Sequence, residues 1–419
     1  MNFTEKLNDY ARLLVRVGVG LEKGQLLVIR SPIEGRDLAV ACAKCAYELG
    51  APSVHVIWSD DDLVLLRYTH APDEVLNTVP EYERDMFRYY LDKGAAFLSF
   101  TGSDPELLKQ IDGKRLQEAT KHRMQAMAFY SEAMMADRNP WTVAGVPTRA
   151  WAKKVFPDAE DAAAVSQLWE AIFETARVNG DAIENWKTHM ETVNQKARAL
   201  TALELKTLRY RSSNGTDFEI GLPEGHLWAG GGSKTPAGKP FVANIPTEEV
   251  FTLPHKDTAN GVVYASMPLQ YNGNTIDKFW LRFEDGKVVD FDAEIGKDVL
   301  KHLLETDEGT ARLGEVALVP YDSPISNRNH LFFNTLYDEN ASCHLALGRA
   351  YPTCLKGGEE LSKEALAERG ANDSLVHVDF MVGAEDMDID GIDRAGTVLP
   401  IFKKGNWAAE FEEIANKTI

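Results

Sequence analysis

Glu339, His344 and Tyr351 fall within a single run, Leu336 to Tyr351, whose other members are mostly small or apolar. A carboxylate and an imidazole so close in sequence join hard oxygen to borderline nitrogen, a donor set that suits Zn, Co, Mn or Fe. The phenol of Tyr351 adds a hydrogen-bond donor for a metal-polarised oxygen. Alone the trio is a weak signal, and three further segments strengthen it.

The first is Asn244 to Thr252, where Glu248 and Glu249 are adjacent. Neighbours on a strand face opposite sides, so only one of the two can enter a site and the other is expected at the surface. In Leu313 to Pro320 a lone acid, Glu315, opens an apolar strand. A charge in such surroundings needs a partner, because burying it alone is costly; a metal or an exposed strand end would each meet that need. In Val376 to Val382, His377 and Asp379 share one strand face and stand about 7 Å apart along it, so they can converge on one centre or on two adjacent ones.

Three glutamates, two histidines and an aspartate suffice for a pair of metal ions with a bridging carboxylate. Two ions about 3.5–4 Å apart share a water, lower its pKa and polarise a carbonyl. That chemistry is hydrolysis, with a spare carboxylate carrying the proton from the water to the leaving amine. His255, just beyond the first segment, is a further site candidate whose plain alternative is a surface histidine.

The elements that must position these residues differ between the two halves. Phe3 to Val17 has helical apolar spacing, with Thr4 as its cap. A strand at Gln25–Arg30, a helix at Arg36–Leu49 and a strand at Ser53–Trp58 make a crossover unit and so a parallel sheet. The alternation continues with a helix over Val75–Lys93, a strand at Ala95–Phe100, a helix over Pro105–Ala126, a strand at Trp141–Pro147 and a short helix at Arg149–Phe156. No G-x-G-x-x-G follows the first strand, so a dinucleotide site is unsupported. Two helices, Ala162–Val178 and Asp181–Ala199, lead into a second texture of short strands and Gly-rich turns. The expected fold is an α/β N-terminal domain with a mainly parallel sheet over residues 1–200, bridging helices at its end. An α+β, β-rich, metal-binding catalytic domain then covers 201–419.

Composition excludes several classes. With 64 acidic against 45 basic residues the net charge is -19, which repels nucleic acid and anionic membranes. No apolar run reaches the ~18 residues of a membrane span, and the N-terminus lacks a signal-peptide core. Four cysteines make no disulfide framework in 419 residues, which fits a reducing, cytoplasmic setting. Cys42 and Cys45 form a C-x-x-C inside a helical pattern with no second pair, so a buried helical pair without chemistry is expected.

Together the four segments resemble the M29 family of metallo-aminopeptidases. The likeness rests on Pro246-Thr247-Glu248-Glu249-Val250-Phe251, Gly314 to Pro320, Glu339-Asn340-Ala341-Ser342-Cys343-His344-Leu345-Ala346-Leu347-Gly348 and His377-Val378-Asp379. It spans at least Asn244 to Asp379, and the first half is also similar to that family. The resemblance implies metal ligation by Glu249, Glu315, Glu339, His344, His377 and Asp379, and so selects Glu249 over Glu248. It further implies that Glu315 bridges two divalent ions (Zn, Co or Mn), that Tyr351 stabilises the oxyanion, and that a homodimer releases N-terminal residues from peptides.

Two other readings compete. A mononuclear Fe(II) ring-cleaving dioxygenase needs only two histidines and one carboxylate, and the surplus of acids argues against it. A non-catalytic metal- or peptide-binding module would have no need of Tyr351 and a spare acid beside the metals.

Overall fold

The computed structural model describes residues 1–418. Its first sheet has five parallel strands in the order Asn244–Ile245, Trp141–Gly145, Ala96–Thr101, Leu27–Pro32, Val54–Ser59. Central strands of such a sheet are covered on both faces and read as continuous apolar runs; Leu27, Val28 and Ile29 are all fully buried, as are Ala96, Phe97 and Leu98. The helix Arg36–Glu48 crosses over between the Leu27 and Val54 strands. Cys42 and Cys45 are buried on it as free thiols, and burial pushes both pKa values up, so neither is a reactive thiolate.

Three helices depart from the expected spans, each for a local reason. The first is capped two residues earlier than expected: Asn2, not Thr4, is the cap, in a reciprocal box with Glu5. Its regular part ends at Leu13 and passes into a wider turn over Leu14–Gly18. The span around Val75–Lys93 is two helices, Asp73–Leu76 and Glu81–Asp92, and a further helix that was not expected, Asp61–His70, precedes them; Pro72 and Pro80 lack the N–H that continuity requires and instead open new helices. The helix placed from Pro105 starts only at Gly113, where the Asp112 carboxylate caps the Arg115 N–H at 2.9 Å.

The second half contributes to the first core. Val242, Ile245, Phe332, Leu336 and Tyr337 are buried in the same apolar cluster as Leu14, Val146 and Trp151. Tyr337 stacks on Phe332 with ring centroids 4.7 Å apart and leans on Trp151 at 5.6 Å. Gly145 admits it: a Cβ there would collide with the Tyr337 phenol. The run preceding Glu339 is thus anchored on the first sheet.

A second sheet of five antiparallel strands runs His377–Met381, His344–Gly348, Leu313–Leu318, Val250–Thr252, Ala229–Gly230. One face carries Val316, Leu318, Leu345, Leu347 and Phe380, which share a core with Leu208, Phe218 and Leu281 of a nine-stranded sheet; Phe380 meets Phe279 across that interface at 5.7 Å. The opposite face borders a cavity that Val143 and Asn244 of the first sheet also line. Among the described residues no helix is long and apolar enough to cross a membrane.

Candidate metal centre

Strand register decides which side chains share the free face of the second sheet. Ala346 stands opposite Glu315 on one neighbour and Asp379 on the other, His344 opposite Ala317 and Met381, and Gly348 opposite His377. Because side chains alternate with period two, Glu315, His344, His377 and Asp379 project from one surface. Small residues between them, Ala317, Ala346 and Gly348, leave room for the longer side chains to converge. Glu249 joins from the residue just before Val250–Thr252.

The result is two triads with one shared member. Ligand atoms of Glu249, Glu315 and His344 lie within 4.8 Å of one another, and so do those of Glu315, His377 and Asp379. The two oxygens of Glu315 divide between them: Oε1 is 3.5 Å from Nε2 of His344, and Oε2 is 3.7 Å from Nε2 of His377. His344 Nε2 is also 3.1 Å from Glu249 Oε2, and His377 Nε2 is 3.3 Å from Asp379 Oδ1.

Both histidines are oriented from behind. Nδ1 of His377 donates to the Arg349 carbonyl at 2.7 Å, and Nδ1 of His344 to the Ser342 carbonyl at 3.3 Å. Those acceptors assign the proton to Nδ1 and turn each Nε2 lone pair into the site, as metal-binding imidazoles require.

Glu339 lines the same cavity but belongs to neither triad. It sits on a short 3-10 turn, Glu339–Ala341, and its Oε1 accepts from Asn244 Nδ2 at 3.1 Å and Asn340 Nδ2 at 3.3 Å. Tyr351 precedes another such turn; its ring packs edge-on against His377 at 5.0 Å and near Phe251 at 5.6 Å.

Electrostatics explain why this cluster invites cations. Among the described residues no lysine or arginine lines the cavity, which holds about 250 Å³. Burial pushes Glu315 up to about 7 despite the nearby imidazoles. Burial and the charges of Asp379 and Glu249 push Glu339 up as well. Burial would lower His377, but Asp379 and Glu315 outweigh it and raise it to about 9. The same balance raises His344 through Glu249 and Glu315. Burial followed by the surrounding carboxylates raises the Tyr351 phenol, which therefore stays protonated at neutral pH. Oδ1 of Asp379 is buried without a hydrogen-bond donor. Bound divalent cations are the groups that would satisfy such a set.

The family model of thermophilic metalloproteases, M29, matches residues 3–407. The chain belongs to the M29 family of metallo-aminopeptidases. It is 50% identical over 412 residues to Aminopeptidase 2 of Geobacillus stearothermophilus, covering 98% of this chain and all of that one. It is 48% identical over 408 residues to Aminopeptidase AmpS of Bacillus subtilis (strain 168), covering 97% and 99%. The solved structure of wild-type AmpT from Thermus thermophilus superposes with a TM-score of 0.90 at 41% identity, over 97% of this chain and 100% of that one.

Of the residues singled out in this M29 chain, five meet in the triads and Glu339 and Tyr351 line the same cavity. His255 does not: it is half-buried against Gly370, its Nδ1 accepts the Asp257 N–H at 3.3 Å, and it is absent from the cavity wall. Glu248 is not at the surface as strand alternation suggested. It is buried beside Glu249, with the Arg177 guanidinium approaching its two oxygens at 2.6 and 2.9 Å. The reason is that Glu248 and Glu249 precede the strand and both point inward, one to the cavity and one to Arg177. Sequence reasoning missed Asn340, which adjoins Glu339, Asn244, which opens the segment that ends beyond Glu249, and Asp137, which stands outside all four segments.

Proposed function

We propose that this enzyme removes N-terminal residues from peptides with the help of two divalent metal ions, Zn, Co or Mn. Glu249 and His344 would hold one, His377 and Asp379 the other, and Glu315 would bridge them. The observation that supports this most directly is the sharing of Glu315 between two ligand triads, one oxygen toward each histidine. Glu339 is proposed as the sixth metal ligand and the fourth carboxylate; its Oε1 is occupied by Asn244 and Asn340, so Oε2 is the oxygen left for the centre.

Divalent ions bound there would supply an acidified water and polarise the scissile carbonyl. The chain's own residues do the rest. Tyr351, held as a neutral phenol, donates a hydrogen bond to the oxygen of the tetrahedral intermediate, where negative charge develops. Glu315 is assigned as the catalytic carboxylate as well as the bridge. Val143, Val242 and Leu336 give the cavity an apolar wall beside these groups. A homodimer follows from the family resemblance, and a cytoplasmic setting from the four free, buried thiols.

The test is release of free amino acids from a mixed peptide pool, using metal-stripped protein and protein restored with Zn, Co or Mn. Restored release from free N-termini, absent from N-acetylated peptides, is the expected result. One iron per chain with oxygen uptake and no amino acid release would overturn it.

A further inference from the structure

Asp137 is a carboxylate of this cavity that metal binding does not use. It is only 5% exposed, it sits in the turn after the Ala128–Met135 helix with φ 51°, and it lines the same cavity as the two triads. The Ser233 hydroxyl and the Trp141 indole N–H, which also reaches the Met134 carbonyl at 3.0 Å, act on its carboxylate. Among the described residues no cation does, and the Glu359 carboxylate adds further negative charge. Neutral donors orient a carboxylate without pairing its charge, and burial pushes Asp137 up to about 7.

Its placement can be measured along the first sheet. Asn244, which donates to Glu339, stands opposite Val143. Trp141, whose indole N–H acts on Asp137, lies two residues earlier on the same strand, so the strand positions that serve Asp137 and Asn244 are roughly 7 Å apart. An α-ammonium is fixed one carbon from the scissile carbonyl and so stays beside the metal ligands. The cation at the tip of a three- or four-carbon side-chain stem reaches further along the wall. Between the two ends the wall is Trp141, Val143 and Val242, with Gly231 and Gly232 contributing no side chain. That is a lining for methylenes, closed by a buried negative charge. The charge of Asp137 also reaches Tyr351, which places both in one chamber.

We propose that this end of the cavity receives the side chain of the substrate's N-terminal residue and that Asp137 selects lysine or arginine there. The inference rests on the aminopeptidase reading and adds the substrate class.

The experiment has two arms. Hydrolysis of arginine, lysine and leucine p-nitroanilides is compared for the metal-loaded wild type, Asp137→Asn and Asp137→Leu. Binding of L-argininamide and L-leucinamide to the metal-free forms is followed by calorimetry. The expected result is a fall of about 30-fold or more in kcat/KM for arginine and lysine, with leucine changed by less than about threefold, and loss of the argininamide preference in both variants. Equal losses on all three substrates, or a wild type that binds the two amides alike, would overturn the assignment. Absence of hydrolysis for every substrate would instead remove the aminopeptidase reading, and the binding arm would still decide whether Asp137 recognises a cationic side chain.

Discussion

Asn340 Oδ1 accepts the backbone N–H of Glu248 at 2.8 Å, while its Nδ2 donates to Glu339 Oε1 at 3.3 Å and to the Leu336 carbonyl at 2.9 Å. One fully buried amide therefore ties the segment that ends in Glu249 to the turn that carries Glu339. Asn340→Leu removes all three bonds and orphans a buried N–H. Metal affinity should drop about 10–100-fold, as for other groups that orient ligands, with a stability cost of about 1–3 kcal/mol. Competition with a chelator and urea unfolding of the metal-free protein read the two effects separately. Unchanged metal affinity would show that the two segments hold their places without Asn340.

The adjacent glutamates should separate by phenotype. Glu248 is paired with Arg177 away from the cavity, so Glu248→Gln leaves a buried guanidinium short of its counter-charge and should cost about 3–5 kcal/mol of stability. Glu249→Gln should leave the metal-free fold near wild type and abolish tight metal binding. Thermal unfolding with and without metal distinguishes them; a Glu249→Gln protein that still retains two ions would exclude it as a ligand.

Gly145 and Tyr337 form a size-matched pair. Gly145→Ala drives a methyl into the phenol that anchors the run before Glu339, and overpacking of this kind costs about 1–3 kcal/mol. The phenol oxygen is the nearest atom to that methyl, so adding Tyr337→Phe should recover part of the loss. A double-mutant cycle with no coupling would refute the contact.

Acid sensitivity should arise partly at Asp307. Burial alone would raise its pKa, but donors from Leu375, Ser374 and Thr310 outweigh it and hold the carboxyl below the ordinary range. Leu375 begins the approach to the strand that carries His377 and Asp379. With the folded pKa depressed, the stabilisation is present above the unfolded value of about 3.9 and is lost as pH falls through the folded value. Asp307→Asn should therefore lower stability by about 1–3 kcal/mol near neutrality, and the difference from wild type should close below about pH 4. A difference that is constant with pH would mean that the carboxylate charge does no work there.

The sequence by itself determined the families of strands and the ligand inventory, because both depend on local pattern. Period-two spacing put His377 and Asp379 on one face, and apolar runs marked the buried parallel strands. The ordered motifs around Glu249, Glu315, His344 and His377 were enough to imply the M29 family. What only the tertiary structure decided depends on contacts between distant segments. Asn244 pairs with the first sheet some hundred residues upstream, and thereby brings Val143 and Trp141 to the wall of a chamber whose ligands come from the second sheet. Strand register, which no single strand specifies, gave Glu315 a histidine at each oxygen. Glu248 and Asp137 had no legible role, since a buried acid declares itself only through what stands opposite: a guanidinium for Glu248, and for Asp137 an apolar-walled space with no cation from the described residues lining it.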